Sequence, residues 1–181
     1  MMQSEVSSYI LDNIKKTLEG IMDQDVNDFV DSIIAADSVF IYGVGRSGLT
    51  GKMFAVRLVQ MGLKVHFVGD MTTPIVGEDD LSIIISYTGE TMSIVQTANI
   101  SRRMGCKVVG ITADANSKLS HASNAVILLP IPHNGEKVAL APLGTLFEDA
   151  AMLFFDSIVP LLMSKLDENE CNMRQRHAIW V

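Results

Sequence analysis

Apolar residues at Val6, Ile10, Ile14, Leu18 and Ile21 recur at the spacing of one helical face. After the punctuation of Gly20 and Asp23, a second helical stripe runs through Val26, Phe29, Val30, Ile33 and Ile34. Past Asp37 the pattern changes to short apolar runs rich in β-branched residues: Val39–Tyr42, Val65–Val68, Leu81–Ser86, Lys107–Thr112 and Ala125–Leu129. Most are almost continuously apolar, the mark of strands covered on both faces. Helical patterns over Ser47–Met61, Thr91–Gly105 and, more briefly, Ser117–Ala122 separate most of them. The stretch Gly69–Asp80, with Pro74, Gly77 and three acids at its end, matches no regular element. A last long helix is predicted from near Pro142, a good first-turn residue, with a kink at Pro160. The tail from Asp167 to Val181 is polar and carries Arg174, Arg176, His177 and Trp180.

Strands alternating with helices predict an α/β fold with a parallel sheet. The economical arrangement is a three-layer α-β-α sandwich around five parallel strands, with the two N-terminal helices (residues 1–37) packed outside. No linker or internal repeat divides residues 1–181, so a single domain is expected. Such a sheet binds ligands at the carboxyl ends of its strands, which directs attention to the loops there.

Composition narrows the picture. With 48% hydrophobic and 19% charged residues, the chain can bury a sizeable core and is not globally disordered. A net charge of −7 disfavours nucleic acid as a partner but leaves room for a small anion, because backbone amides at helix starts bind phosphate without net positive charge. The most apolar stretch, Ala150 to Met163, is broken by Asp156, Ser157 and Pro160, which disfavours a membrane span. Glu5 and Asp12 disfavour a secretory signal. Cys106 and Cys171 are far apart and form no metal-binding spacing, so two free thiols, a cytoplasmic location and no metal are expected.

Two loops carry candidate chemistry. Gly43-Val44-Gly45-Arg46-Ser47-Gly48 follows the first predicted strand and opens a helix. It matches the dinucleotide fingerprint formally, but the acid expected at the end of the second strand is poorly matched by Asp70, which disfavours a nicotinamide cofactor. Its glycines also suit a tight turn and close helix–sheet packing, and Ser47 suits either a helix cap or a hydroxyl donor to a ligand oxygen. The second loop, Ser86-Tyr87-Thr88-Gly89-Glu90-Thr91, gathers hydroxyls, amides and a helix start into a cradle for one phosphate, without the lysine of a triphosphate-binding loop. Thr91 also reads as an ordinary cap, and Glu90 must point outward or meet a sugar hydroxyl.

Together these loops resemble the SIS (sugar isomerase) domain, which binds phosphorylated sugars. Pro142-Leu143-Gly144-Thr145-Leu146-Phe147-Glu148 and the tail Met173-x-x-Arg176-His177-Ala178 are similar to segments of the 6-phospho-3-hexuloisomerases, and the likeness runs essentially from end to end. The chain departs from that family at Ile179-Trp180-Val181 and at Asp70. The resemblance implies a flavodoxin-like fold, a homotetramer, no cofactor or metal, and interconversion of 3-hexulose 6-phosphate with fructose 6-phosphate. The substrate-binding residues it points to are Gly45, Arg46, Ser47, Ser86, Thr88, Gly89 and Thr91. The oligomer has a second motive: the stripe from Val6 to Ile21 lies on a helix that a five-stranded core need not cover.

Moving a carbonyl from C3 to C2 removes the C2 proton, passes through a 2,3-enediolate and reprotonates C3. One carboxylate can carry the proton while donors stabilise the enediolate. Glu148 is the first candidate. It falls one or two turns into an apolar helix, with small Gly144 and Thr145 one turn before it, and an apolar flank suits a base working near neutrality. A surface glutamate beside Asp149 is the plain alternative, and Glu136 is the second-choice base. His66 reads as core or edge, His121 and His133 as turn residues, and Arg102-Arg103 as a solvated helix end. Local pattern makes His177 a tail residue; the resemblance makes it the acid/base partner, acting in its own or a neighbouring subunit. Isomerisation of another sugar phosphate, such as a pentose 5-phosphate, and a non-catalytic sugar-phosphate sensor are the competing functions.

Overall fold

In the computed structural model, which describes residues 2–132 and 139–177, five strands form one parallel sheet. Two helices lead, α1 (Gln3–Glu19) and α2 (Asp23–Ala35). The sheet then alternates with helices: β1 (Val39–Gly43), α3 (Gly45–Gln60), β2 (Val65–Phe67), β3 (Leu81–Ile85), α4 (Met92–Arg103), β4 (Lys107–Thr112), α5 (Lys118–Ala122) and β5 (Ala125–Leu128). The chain closes with α6 (Thr145–Leu166) and α7 (Glu170–Gln175). The strand order is β2-β1-β3-β4-β5, with Val39 opposite both Val65 and Leu81.

Side chains alternate across a strand, and here each set meets helices. Ile41, Ile83, Ile85, Val109, Ile111 and Ile127 share one core with Phe29 of α2, Phe54 and Leu58 of α3, and Phe147, Phe154 and Phe155 of α6. Ile84 and Val108 face the other way, against Ile94 and Ala98 of α4 and Leu119 and Ala122 of α5. Stacked rings tie the helices of the larger core together: Phe54 and Phe155 lie 4.3 Å apart, Phe29 and Phe154 5.8 Å apart. Such pairs contribute ~1 kcal/mol each beyond the area they bury.

Several expectations are corrected. The stripe on α1 is covered after all: α1 lies against α6, Ile14 is buried, Val6, Ile10 and Leu18 are half-buried, and Thr17 Oγ1 donates to the Pro130 carbonyl. It therefore supplies no motive for an oligomer. The long helix starts at Thr145, three residues past Pro142, and carries Pro160 within it. Asp156 and Pro160 are both exposed, so the carbonyl that proline leaves without a donor is on the wet side. The tail contains α7, whose first turn is capped by Asn169 accepting from the Asn172 amide. The link from β2 to β3 contains no helix and is shaped by Thr73 Oγ1 donating to the Asp70 carbonyl and by the Gly77 amide donating to Asp80. Cys106 is buried, Cys171 is exposed and both are free.

Candidate active site

From β1 the chain goes through α3 to β2 on one side of the sheet, and from β3 through α4 to β4 on the other. The β1–α3 and β3–α4 loops therefore diverge at adjacent strand ends, the switch point where open α/β sheets leave a crevice. A cavity of about 220 Å³ lies there, lined by Ser47 from the first loop and by Ser86, Tyr87, Thr88 and Thr91 from the second, with Val44 and Ile94 among its apolar walls.

The glycines account for the first loop's shape. Gly45 opens α3 at φ +60, a conformation costing other residues ~1–2 kcal/mol. A Cβ at Gly48 would stand 2.5 Å from the Gly43 carbonyl oxygen, so only glycine lets the helix approach β1 this closely. Ser47 is buried in the first turn but does not cap the helix; the capping position is Val44, with no side-chain bond. Thr91 holds the equivalent position of α4, and its hydroxyl makes no capping bond either. Of the two readings of these hydroxyls, capping is absent and the cavity is what they line. Ser86 and Thr88 brace their own loop by accepting from the amides of Gly89 and Glu90.

Arg46, one residue before Ser47, reaches α6. Its Nε donates to Glu148 Oε2 at 2.5 Å, and its Nη2 lies 3.8 Å from Asp149 Oδ1. Glu148 is 11% exposed and Arg46 60%. The apolar flank expected around Glu148 is thus replaced on one side by a guanidinium. Small residues do precede it: a Cβ at Gly144 would come within 2.8 Å of Glu148 Oε1. Asp149 is a neighbour whose part the sequence did not signal; partial burial raises its pKa, with Arg46 opposing and Glu148 adding to the rise. The Tyr87 ring, in the cavity wall, lies 5.4 Å from that of Phe147, which joins the second loop to the residue before Glu148.

His177 stands elsewhere in its own subunit. It lines a small cleft with Arg57, Gln60 and Met173 at the C-terminal end of α3. From Ser47 to Gln60, α3 rises ~20 Å at ~1.5 Å per residue, so His177 is far from the hydroxyl cavity of its own chain. The neighbouring Arg176 anchors that end: it donates to the Gln60 carbonyl and pairs with Glu168 at 2.9 Å, which holds the Glu168 carboxyl below its ordinary value. His66 is in edge strand β2 against Phe40, as expected. His121 Nδ1 donates to the Ser117 carbonyl, and Arg102 and Arg103 donate to the backbone carbonyls of His121 in α5 and Asn99 in α4. His133 and Glu136 lie outside the described residues. Among the described residues no cluster of His, Cys, Asp and Glu could hold a metal, and no helix is long and apolar enough to cross a membrane.

A flavodoxin-like sheet with serines and threonines converging at its switch point is the architecture of a phosphosugar-binding domain. A profile of the SIS domain matches residues 32–147, and the chain belongs to that family. It is 36% identical to a 3-hexulose-6-phosphate isomerase of Methanocaldococcus jannaschii, over 84% of this chain and 82% of that one. It is 32% identical to the 3-hexulose-6-phosphate isomerase of Bacillus subtilis, over 98% of each. A crystal structure of a Methanococcus jannaschii protein, described as inferring the molecular function of 3-hexulose-6-phosphate isomerase, superposes with a TM-score of 0.83 at 32% identity over 97% of each chain.

Proposed function

We propose that this protein is a phosphosugar isomerase that interconverts D-arabino-hex-3-ulose 6-phosphate and D-fructose 6-phosphate. The observation that carries the reading is one juxtaposition: four hydroxyls around a cavity of about 220 Å³ at two helix starts, with a guanidinium–carboxylate pair on the residue next to the first of them. End-to-end likeness to two isomerases of this kind supports it.

Ser47, Ser86, Thr88 and Thr91, with the backbone of Gly45 and Gly89, hold the phosphate. Helix starts supply amides and a favourable dipole there. Fixing the phosphate at C6 leaves the other end of the carbon chain for the Arg46–Glu148 pair. Glu148 takes the proton from C2 and returns it to C3. Arg46 supplies positive charge beside the developing enediolate oxygens. Neither step needs a redox cofactor, because the carbonyl moves within one molecule. The 3-keto sugar cannot close a five-membered ring through its phosphorylated O6, whereas fructose 6-phosphate cyclises, so the reverse direction also requires ring opening, a task suited to a histidine.

His177 supplies that acid/base group from a second copy. Along α3, Leu49, Met53, Val56 and Val59 are 46–63% exposed and recur on one helical face. Two such faces pairing antiparallel would set the His177 end of one α3 beside the Ser47 end of the other. Met71, Ile75, Met92 and Leu143, each more than 80% exposed, offer a further apolar contact for a dimer of dimers. The protein is accordingly a homotetramer. The reading is tested by incubating the protein with fructose 6-phosphate and with pentose and heptose phosphates and following products by NMR. Conversion of fructose 6-phosphate to the 3-ulose is expected; turnover of a pentose phosphate alone, or binding without turnover, would replace it.

A further inference from the structure

The phosphate loop contains a carboxylate, Glu90, between Gly89 and Thr91, and a like charge beside a phosphate dianion weakens its binding. The side chain is tied off onto α5. Its Oε1 accepts from the Lys118 backbone amide at 3.0 Å, and its Oε2 lies 2.8 Å from Lys118 Nζ. The same junction grips the loop's backbone: the Leu119 amide donates to the Gly89 carbonyl at 3.0 Å. Gly89 has φ +64, and a Cβ there would fall 2.2 Å from Ser117 Oγ, so fully buried Ser117 packs directly on the loop. No residue of α5 lines the cavity. The lowered pKa of Glu90, caused first by the Lys118 hydrogen bonds, agrees with a carboxylate held ionised by its partner.

We propose that Lys118 is a positioning residue for substrate binding, which neutralises Glu90 and draws its carboxylate onto α5 so that the Ser86–Thr91 loop accepts a phosphate dianion. This rests on the reading of the cavity as the phosphate site. Glu90 thereby has a structural use in an anion-binding loop: it fastens the loop to α5, provided that its charge is matched.

The test is KM and kcat for fructose 6-phosphate, together with inhibition by inorganic phosphate, in wild type, Lys118→Met, Lys118→Arg and the double variant Glu90→Gln/Lys118→Met. Lys118→Met is expected to raise KM and the phosphate inhibition constant about fivefold, the scale of a well-placed exposed ion pair, with kcat nearly unchanged. Lys118→Arg should stay near wild type. The double variant should return to within about twofold of wild type, because the unmatched charge is gone. A double variant as impaired as Lys118→Met would make Lys118 a merely structural support and overturn the proposal. Unchanged constants in Lys118→Met overturn it while leaving the isomerase reading intact. A wild type that binds neither phosphate nor the sugar phosphate overturns both.

Discussion

The guanidinium of Arg46 meets the carboxylate of Glu148 at 2.5 Å although 102 positions of chain separate them. The contact joins the first turn of α3 to the first turn of α6. It brings a base candidate next to the residue preceding Ser47, and under the proposed mechanism it would set a cation beside the group that takes the proton.

The phosphate assignment predicts graded losses. Ser86→Ala and Thr91→Ala should each weaken fructose 6-phosphate binding by ~1–3 kcal/mol, the scale of a hydrogen bond to a charged group. Calorimetric titration measures this directly. Unaltered affinity in both variants and in their double mutant would remove the hydroxyls from the phosphate site.

Asp149 predicts a pH-dependent stability. Its folded pKa is raised above the ordinary 3.8, so ionising it in the native state is unfavourable. The penalty is fully present above the folded pKa and fades as pH falls toward the unfolded value. Asp149→Asn should therefore melt at a higher temperature than wild type at pH 7, and the difference should shrink on acidification through the carboxylate range. A variant less stable at pH 7 would show that the Arg46 contact outweighs burial.

The assembly predicts two linked results. Sedimentation should give a tetramer at micromolar concentration, and Met53→Glu/Val56→Asp, which charges the exposed α3 face, should dissociate it and lower turnover. Mixing inactive Glu148→Gln with inactive His177→Asn, under conditions that exchange subunits, should recover part of the activity, because one mixed site then holds both wild-type groups. A fully active monomer would refute the shared site.

How far the sequence carried these conclusions depended on the range of the interactions. The strands were legible to within a residue at either end, since runs such as Leu81–Ser86 are apolar on both faces and bounded by polar or glycine-containing loops. The two hydroxyl loops were legible because their residues are contiguous and follow strands. Contacts between distant segments were not. The α1 stripe looked unpartnered because α6, which covers it, lies more than a hundred residues on. Glu148 looked apolar-flanked because its own helix is apolar, while its partner Arg46 belongs to the first turn of α3. Glu90 looked misplaced until Lys118, 28 positions away, was beside it. The short helix α7 has only Met173 buried, too little periodicity to announce itself.

The central claim is that Glu148 moves the proton between C2 and C3. The measurement that tests it most directly is turnover of fructose 6-phosphate by Glu148→Gln, followed by carbon NMR of the carbonyl position, alongside wild type in deuterated water. Glutamine keeps the size and a hydrogen-bonding oxygen but cannot act as the base. Binding should remain close to wild type while turnover falls ~10²–10⁴-fold, the usual contribution of a positioned acid/base, and wild type should place solvent deuterium at the transferred position to the extent that the carboxyl exchanges between abstraction and return. Near-normal turnover in Glu148→Gln would contradict the account and pass the role of base to Glu136 or His177.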